Sequence, residues 1–490
     1  MQPYSELEVF IRARYSLIEI VSSEEERVEE CLRILADKLG KRFCCWSAVR
    51  GLYDYSLPVG KSVVCSEPVA ALREAQKQNS PALYLFKDIQ PFLSDKVTLR
   101  QLKETARALQ ASPKTIFLLE PKHDLPSSLD KEVTVFDFPL PDRYELGKLL
   151  DDVQAELSSA RSLDPAVREQ LAQAALGLTR SEAENALARA LITCGYLGPD
   201  TVAAVLEEKK QIIRKGGLLD YIENCSGMQS VGGLSGLKSW VQKRTLAFTQ
   251  EARDFGLPAP RGILLLGVQG CGKSLCAKAV SAAWNMPILR LDVGRLFASL
   301  MGSSESNMRE AIKMAESIAP CVLWIDEIEK AFAGSKGSES DGGTSSRILA
   351  TFLTWLQEKK DGVFVIATAN DITSLPPELL RKGRLDETFF VDLPTAAERA
   401  EIFAIHLQAR RRNPAMFSLW ALAEASEGFS GSEIEQAIVA ALYDAFDSRC
   451  DLQDGHILNA LRQTVPLSKT RHEEVQALRA WAASRARSAS

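Results

Sequence analysis

What this 490-residue chain lacks narrows it quickly. Its four histidines, His123, His406, His456 and His472, lie far apart, and its ten cysteines include no CxxC pair. Structural zinc needs ligands at short paired spacings, so none is expected, and scattered free thiols fit a reducing compartment. No stretch approaches the ~20 consecutive apolar residues that span a bilayer. The opening MQPYSELEVFIRARYS places Glu6 and Glu8 where a signal peptide needs an apolar run. An excess of positive charge is missing as well. The formal net charge is -5, so the overall balance gives no support to nonspecific binding of nucleic acid or an anionic membrane. Together these absences lead to the expectation of a soluble, intracellular protein.

What is present is ordinary globular material: 46% hydrophobic and 25% charged residues. At roughly 150 residues per domain the length gives about three units. Residues 1–140 alternate short apolar runs (Ser16 to Val21, Phe43 to Val49, Ala82 to Phe86, Thr115 to Leu119, Val133 to Phe138) with amphipathic stretches. That alternation implies parallel strands covered on both faces. Residues 141–215 read as helix only. A Gly/Ser-dense stretch, 216–236, reads as a linker. The alternation then returns over 231–395, with apolar runs at Gly262 to Leu266, Pro287 to Leu291, Cys321 to Ile325, Val363 to Ala367 and Phe389 to Leu393. A second helical block occupies 396–466, and 467–490 holds one helix and a basic tail. An α/β core followed by a helical block thus occurs twice, which suggests a tandem of related modules.

The chemistry concentrates in the second module. GVQGCGKS, Gly267 to Ser274, directly follows the strand GILLL and precedes a helix, the setting that gives a G-x-x-x-x-G-K-[ST] match its meaning. Gly270 and Gly272 let the backbone turn its N–H groups onto phosphate oxygens, and a helix N-terminus adds about half a positive charge. Lys273 reaches the β- and γ-phosphates, and Ser274 offers a hydroxyl to Mg²⁺. CVLWIDE, Cys321 to Glu327, delivers two acids to the carboxyl edge of a buried strand. Asp326 suits Mg²⁺ coordination through water, and Glu327 suits polarising the attacking water. Asn370 ends the strand VFVIATAN at the same edge. Arg381 and Arg384 lie three apart in LLRKGRLDETFF, where phosphoryl transfer gains from an arginine aimed at the γ-phosphate. The expected class is therefore α/β: a P-loop NTPase three-layer αβα core binding ATP and Mg²⁺.

Residues from about Val231 to Leu461 resemble an AAA+ ATPase module of the AAA type. The pieces that carry the resemblance are VGGL (Val231 to Leu234), GVQGCGKS, MGSSESNMREA (Met301 to Ala311), WIDEIEKAF, ATAN, LLRKGRLD and GFSGSEIEQAIVAAL (Gly428 to Leu442). The whole chain further resembles the hypothetical-reading-frame AAA ATPases of cyanobacteria and algal plastids. The resemblance implies a core with a C-terminal helical lid, assembly as a hexameric ring, and work on a protein client. It also implies that Arg381 and Arg384 are arginine fingers acting across a subunit boundary and that Asn370 is a sensor. By the same resemblance Gly232 and His406 flank adenine and ribose, Gly267, Cys271 and Leu275 share the phosphate loop, and Gly431 with Ser432 belongs to the lid's second sensor.

Departures from the family pattern are informative. The pore-loop position reads Leu300, Met301 and Gly302, without the aromatic paddle of a polypeptide-threading pore. A second pore-facing loop is expected within Gly334 to Ser346. Arg295, Arg309 and Lys336 near these loops support the alternative of a nucleic-acid-associated motor, which the acidic balance and the lack of aromatic–basic alternation disfavour. Cys271 sits beside Lys273 at a helix N-terminus, a setting that lowers a thiol pKa and makes redox sensitivity one reading. The other reading is a small residue tolerated where threonine is usual. In the first module, Glu24, Glu25 and Glu26 occupy the position of a phosphate loop, and the strand PALYLFKD ends in the lone Asp88. Anion against anion makes no nucleotide site. Gly60-Lys61-Ser62 lacks the upstream glycine and follows Pro58. Residues 1–140 are expected to be a degenerate AAA-like domain serving as a docking or assembly platform.

Overall fold

Strand-forming runs of Leu, Ile, Val, Phe and Cys, buried on both sides, organise each half of the chain around a parallel sheet. The structure is a computed structural model that describes all residues except 1–2, 56–64, 157–162, 223–226, 298–302, 333–343, 360–361 and 382. Gly60-Lys61-Ser62, Leu300-Met301-Gly302, Lys336 and most of the Gly334 to Ser346 loop lie outside the described residues. The chain divides into units of residues 1–205 and 206–490.

The first unit contains β1 (Leu17–Val21), β2 (Arg42–Ser47), β3 (Gly51–Asp54), β4 (Ala82–Lys87), β5 (Lys114–Glu120) and β6 (Thr134–Asp137). They form a sheet in the order β3-β2-β4-β5-β1-β6, parallel except for β3 against β2. The alternation of strand side chains sends Ile18, Ile20 and Phe117 to one face, under the helices Pro3–Arg12 and Glu25–Lys38. Leu17, Ile116 and Leu118 go to the other, under Pro68–Lys77 and Lys96–Leu109. The helices Arg143–Glu156, Pro165–Ala175 and Arg180–Cys194 follow.

The second unit contains β7 (Leu219–Ile222), β8 (Gly262–Gly267), β9 (Ile288–Leu291), β10 (Cys321–Ile325), β11 (Val363–Ala369), β12 (Glu387–Val391) and β13 (Arg487–Ser488). Its order is β13-β12-β8-β11-β10-β9-β7, with only β7 antiparallel, to β9. One face packs Met308, Ile348 and Phe352 of the helices Ser303–Ile318 and Thr344–Glu358. The other packs Trp240, Ala277 and Val280 of Ser235–Gln242 and Lys273–Ala283. A lid of four helices, Ala396–Ala409, Leu419–Ala425, Gly431–Asp447 and Asp454–Gln463, closes on its own core of Phe403, Leu407, Ile434 and Ile438.

Two segments differ from the sequence reading. The stretch 216–236 is no bare linker, because Leu219–Ile222 pairs as an edge strand, with Leu219 buried in the sheet's core. The basic tail, read without a strand, contains one, since Arg487–Ser488 adds β13 beside β12.

Five strands of the two sheets share one order, β2-β4-β5-β1-β6 in the first and β9-β10-β11-β8-β12 in the second. Register makes the correspondence residue by residue: Val21 pairs with Glu120 as Leu266 pairs with Ala369, and Phe86 pairs with Leu118 as Ile325 pairs with Ala367. Lys87 therefore stands at the position of Asp326, and Asp88 at that of Glu327. Both Asp88 and Glu327 adopt the left-handed backbone, at φ 50° and 49°.

Candidate active site

β8 runs directly into the loop 268–272 and the helix Lys273–Ala283, so the helix N-terminus faces the carboxyl edge of the sheet. Two glycines are steric necessities here. A Cβ on Gly267 would lie 1.9 Å from the Val391 carbonyl oxygen. Gly270 has φ +80°, and its Cβ would lie 2.2 Å from the Ser432 hydroxyl. Lys273 is buried and donates to the carbonyls of Gly267 at 2.7 Å and Val268 at 2.9 Å. Burial pushes its ammonium below the ordinary range, with the carboxylates of Glu329, Asp326 and Glu327 opposing.

At the end of β10 the acids are placed by β11. The Ser274 hydroxyl donates to Asp326 Oδ1 at 3.1 Å, and Thr368 Oγ1 donates to the same oxygen at 2.5 Å. Thr368 Oγ1 also accepts the Glu327 N–H at 3.0 Å. Asn370 Nδ2 donates to Glu327 Oε1 at 3.1 Å, and Lys330 pairs with Glu327 Oε2. The Asn370 N–H donates to the buried Glu329 at 2.9 Å, and burial raises the pKa of that carboxyl. Thr368 and Glu329 escaped the sequence reading. Thr368 lies on β11, two before Asn370, which follows the strand's end, and period-2 alternation was the signal that puts both on one face.

These groups share a cleft of about 650 Å³. Gly232, Gly270, Cys271, Gly272, Lys273, Ser274, Leu275, Asp326, Glu327, Asn370, His406, Gly431 and Ser432 all line it. The lid contributes through the start of Gly431–Asp447, where the Ser432 N–H donates to the Gly270 carbonyl at 3.0 Å. His406 lies 3.7 Å from Glu435, and burial lowers its pKa despite that carboxylate. Ser490 also borders the cleft, and sequence gave no hint of it. Burial pushes the Glu398 carboxyl upward, but hydrogen bonds from the Thr395 amide, Ser490 and the Leu234 amide outweigh it and hold the pKa below its usual range.

The geometry bears on three further expectations. Arg381 and Arg384 do not line the cleft; Arg384 donates instead to the Glu378 carbonyl of its own loop. Cys271 is not an activated thiol, because burial pushes it up to about 12 and Lys273 only partly opposes that. Of the three carboxylates Glu24 to Glu26, one is buried and two are exposed. Glu24 is buried, lies 3.3 Å from Arg27 and accepts the Arg180 N–H at 2.8 Å. Glu25 pairs with Lys87 at 3.3 Å.

Comparison with known proteins follows the same division. Residues 263–393 match the ATPase family associated with various cellular activities (AAA). Residues 4–138 match the N-terminal domain of SpoVK-like AAA ATPases, and 144–216 their second domain. The chain is 41% identical over 483 residues to the AAA domain-containing protein ycf46 of Trieres chinensis, covering 98% of this chain and 96% of that one. Against the ycf46 protein of Guillardia theta the identity is 39% over 481 residues, with 97% and 94% covered. A cell division cycle protein 48 homolog of Archaeoglobus fulgidus is 29% identical over 342 residues, 65% of this chain and 46% of that one.

Proposed function

Because the chain belongs to the AAA ATPase family, with ycf46 AAA domain-containing proteins as full-length relatives, we propose that it hydrolyses ATP with Mg²⁺ in a hexameric ring and uses the cycle to remodel a protein partner. The observation that carries the reading is the placement of Glu327: its carboxylate, held by Asn370, faces the cleft that also contains Lys273 and the Ser274–Asp326 pair.

The residues fit a magnesium nucleotide. Loop amides and Lys273 offer donors to phosphate oxygens, and Ser274 with Asp326 offers the hard oxygen ligands that Mg²⁺ takes. When bound, the ion neutralises charge on the β- and γ-phosphates. Glu327 takes a proton from the attacking water as the oxygen closes on phosphorus, and the Asn370 amide fixes the carboxylate that receives it. Arg381 and Arg384 lie off their own chain's cleft, so they complete the site of a neighbouring subunit, where such an arginine contributes about 10³–10⁵ in rate.

The nucleic-acid alternative has less support. Arg295 donates to the Gly217 carbonyl and pairs with Asp292, and Arg309 pairs with Glu305. No helix among the described residues is long and apolar enough to cross a membrane.

Phosphate release is expected to need Mg²⁺ and to rise more than linearly with protein concentration below assembly. Glu327→Gln and Arg384→Ala proteins, each inactive, are expected to regain turnover when mixed. Strict proportionality without complementation would defeat the shared-site reading. A Glu327→Gln protein locked with ATP is the bait for the client.

A further inference from the structure

Residues 467–490 cross from the lid to the sheet. The Leu467 N–H donates to Glu433 at 2.7 Å, in the first turn of the lid helix Gly431–Asp447. Within the next helix, His472–Arg485, Arg479 Nε donates to both oxygens of Asp392, at 3.0 and 2.9 Å, just beyond β12. Leu478 and Trp481 of the same helix pack against the sheet's core. β13 then lies beside β12. The Ala489 N–H donates to the Phe390 carbonyl at 3.0 Å, its carbonyl accepts the Leu237 N–H at 2.9 Å, and its side chain is completely buried. Gly236 leaves room for this path, since a Cβ there would lie 3.0 Å from the Ser488 carbonyl oxygen.

Beyond Ala489, Ser490 borders the cleft beside Leu234 and Glu398. Glu398, which Ser490 hydrogen-bonds, lies in the first turn of the lid helix Ala396–Ala409, whose later residues Ile402, Ile405 and Ala409 also line the cleft. This apolar surface suits a planar base rather than phosphate. A strand of two residues is weak by itself, so its docking is easily biased by whatever fills the cleft it walls.

We propose that residues 487–490 form a dockable wall at the base end of the nucleotide cleft, so that tail docking and nucleotide binding reinforce each other. This rests on the nucleotide-site reading above and adds to it a determinant of nucleotide affinity that lies outside the phosphate loop and the lid. Linkage makes the effect reciprocal: if the docked tail tightens binding, bound nucleotide tightens the tail by the same factor.

The test uses the full chain and two ligands, ADP and inorganic tripolyphosphate. Ala489→Glu forces a carboxylate into a buried position and undocks the strand. It is expected to weaken ADP binding by about tenfold while leaving tripolyphosphate within about twofold of the parent. Arg479→Ala, which cuts the tail helix from Asp392 at the cleft wall, is expected to move ADP affinity in the same direction by less. In the parent, saturating ADP is expected to slow hydrogen exchange at the Ala489 amide. Unchanged ADP affinity in Ala489→Glu, or exchange indifferent to ADP, overturns the proposal. Equal loss of both ligands overturns the assignment to the base end. A parent that binds neither ligand would overturn the nucleotide reading itself, which is a separate result.

Discussion

The two sheets share the order of five strands, a register and even a left-handed residue at the same point, yet at one matched position of their carboxyl edges the charge is reversed. In the second unit Asp326 faces Ser274 across the edge; in the first Lys87 stands there and pairs with Glu25 at 3.3 Å and Glu29 at 2.9 Å. Asn370 has Pro121 as its counterpart, a residue with no side-chain donor. Three residues, 22–24, connect β1 to its helix, where six, 267–272, connect Leu266 to Lys273. The first unit has closed its would-be site with an internal ion pair, and the fold tolerates the exchange because the sheet's core is untouched. Sheet topology and nucleotide chemistry are separable properties of this architecture.

The sharpest way to break that comparison is Lys273→Ala. If only the second unit holds nucleotide, titration with a fluorescent ATP analogue is expected to show affinity falling by about 100-fold or more. Retained tight binding would show that the first unit also binds, despite Lys87.

A smaller effect is expected from Lys87→Ala. ADP affinity should be unchanged. Stability should fall by about 1–3 kcal/mol, read by denaturant unfolding, because Glu29 keeps its half-buried position without its cation. A change in nucleotide affinity would contradict the ion-pair closure.

The finest test uses pH. Glu120, at the position of Ala369, has its pKa pushed up to about 7, mainly by burial, with the Gln90 amide opposing. Between the ordinary value of 4.5 and about 7 the folded state holds a proton that the unfolded state has released. Stability from this group therefore declines as pH rises through that window. Glu120→Gln is expected to remove the decline and gain on the order of 1–3 kcal/mol over the parent at pH 8, with little difference at pH 4. Parallel stability profiles for the two proteins would refute the assignment.

How much of this was legible in the sequence follows from how local each feature is. The phosphate loop and the acid pair are contiguous, so their residues announce themselves. β7 did not, because Leu219–Ile222 is an edge strand of four residues flanked by Gly217 and the Gly/Ser-dense stretch. β13 is two residues long and exists only through pairing with β12. The sequence left two readings of Cys271 open because helix-terminus charge is visible in sequence whereas desolvation is not, and desolvation dominates. The equivalence of Lys87 and Asp326 needs register, which no pattern within either strand contains.

One contact has a wider meaning. The lid meets the phosphate loop through the Ser432 N–H and the Gly270 carbonyl, two main-chain atoms. The side chains of Val268, Gln269 and Cys271 take no part in this joint. Movement of the lid is therefore transmitted to the loop by a hinge that spelling changes at those three positions leave intact. What reaches it is a change at the two contact residues, a proline at 432 that deletes the N–H or a side chain at Gly270 that would meet Ser432. The mechanical link between opening and phosphate contact is in this sense heritable without being readable.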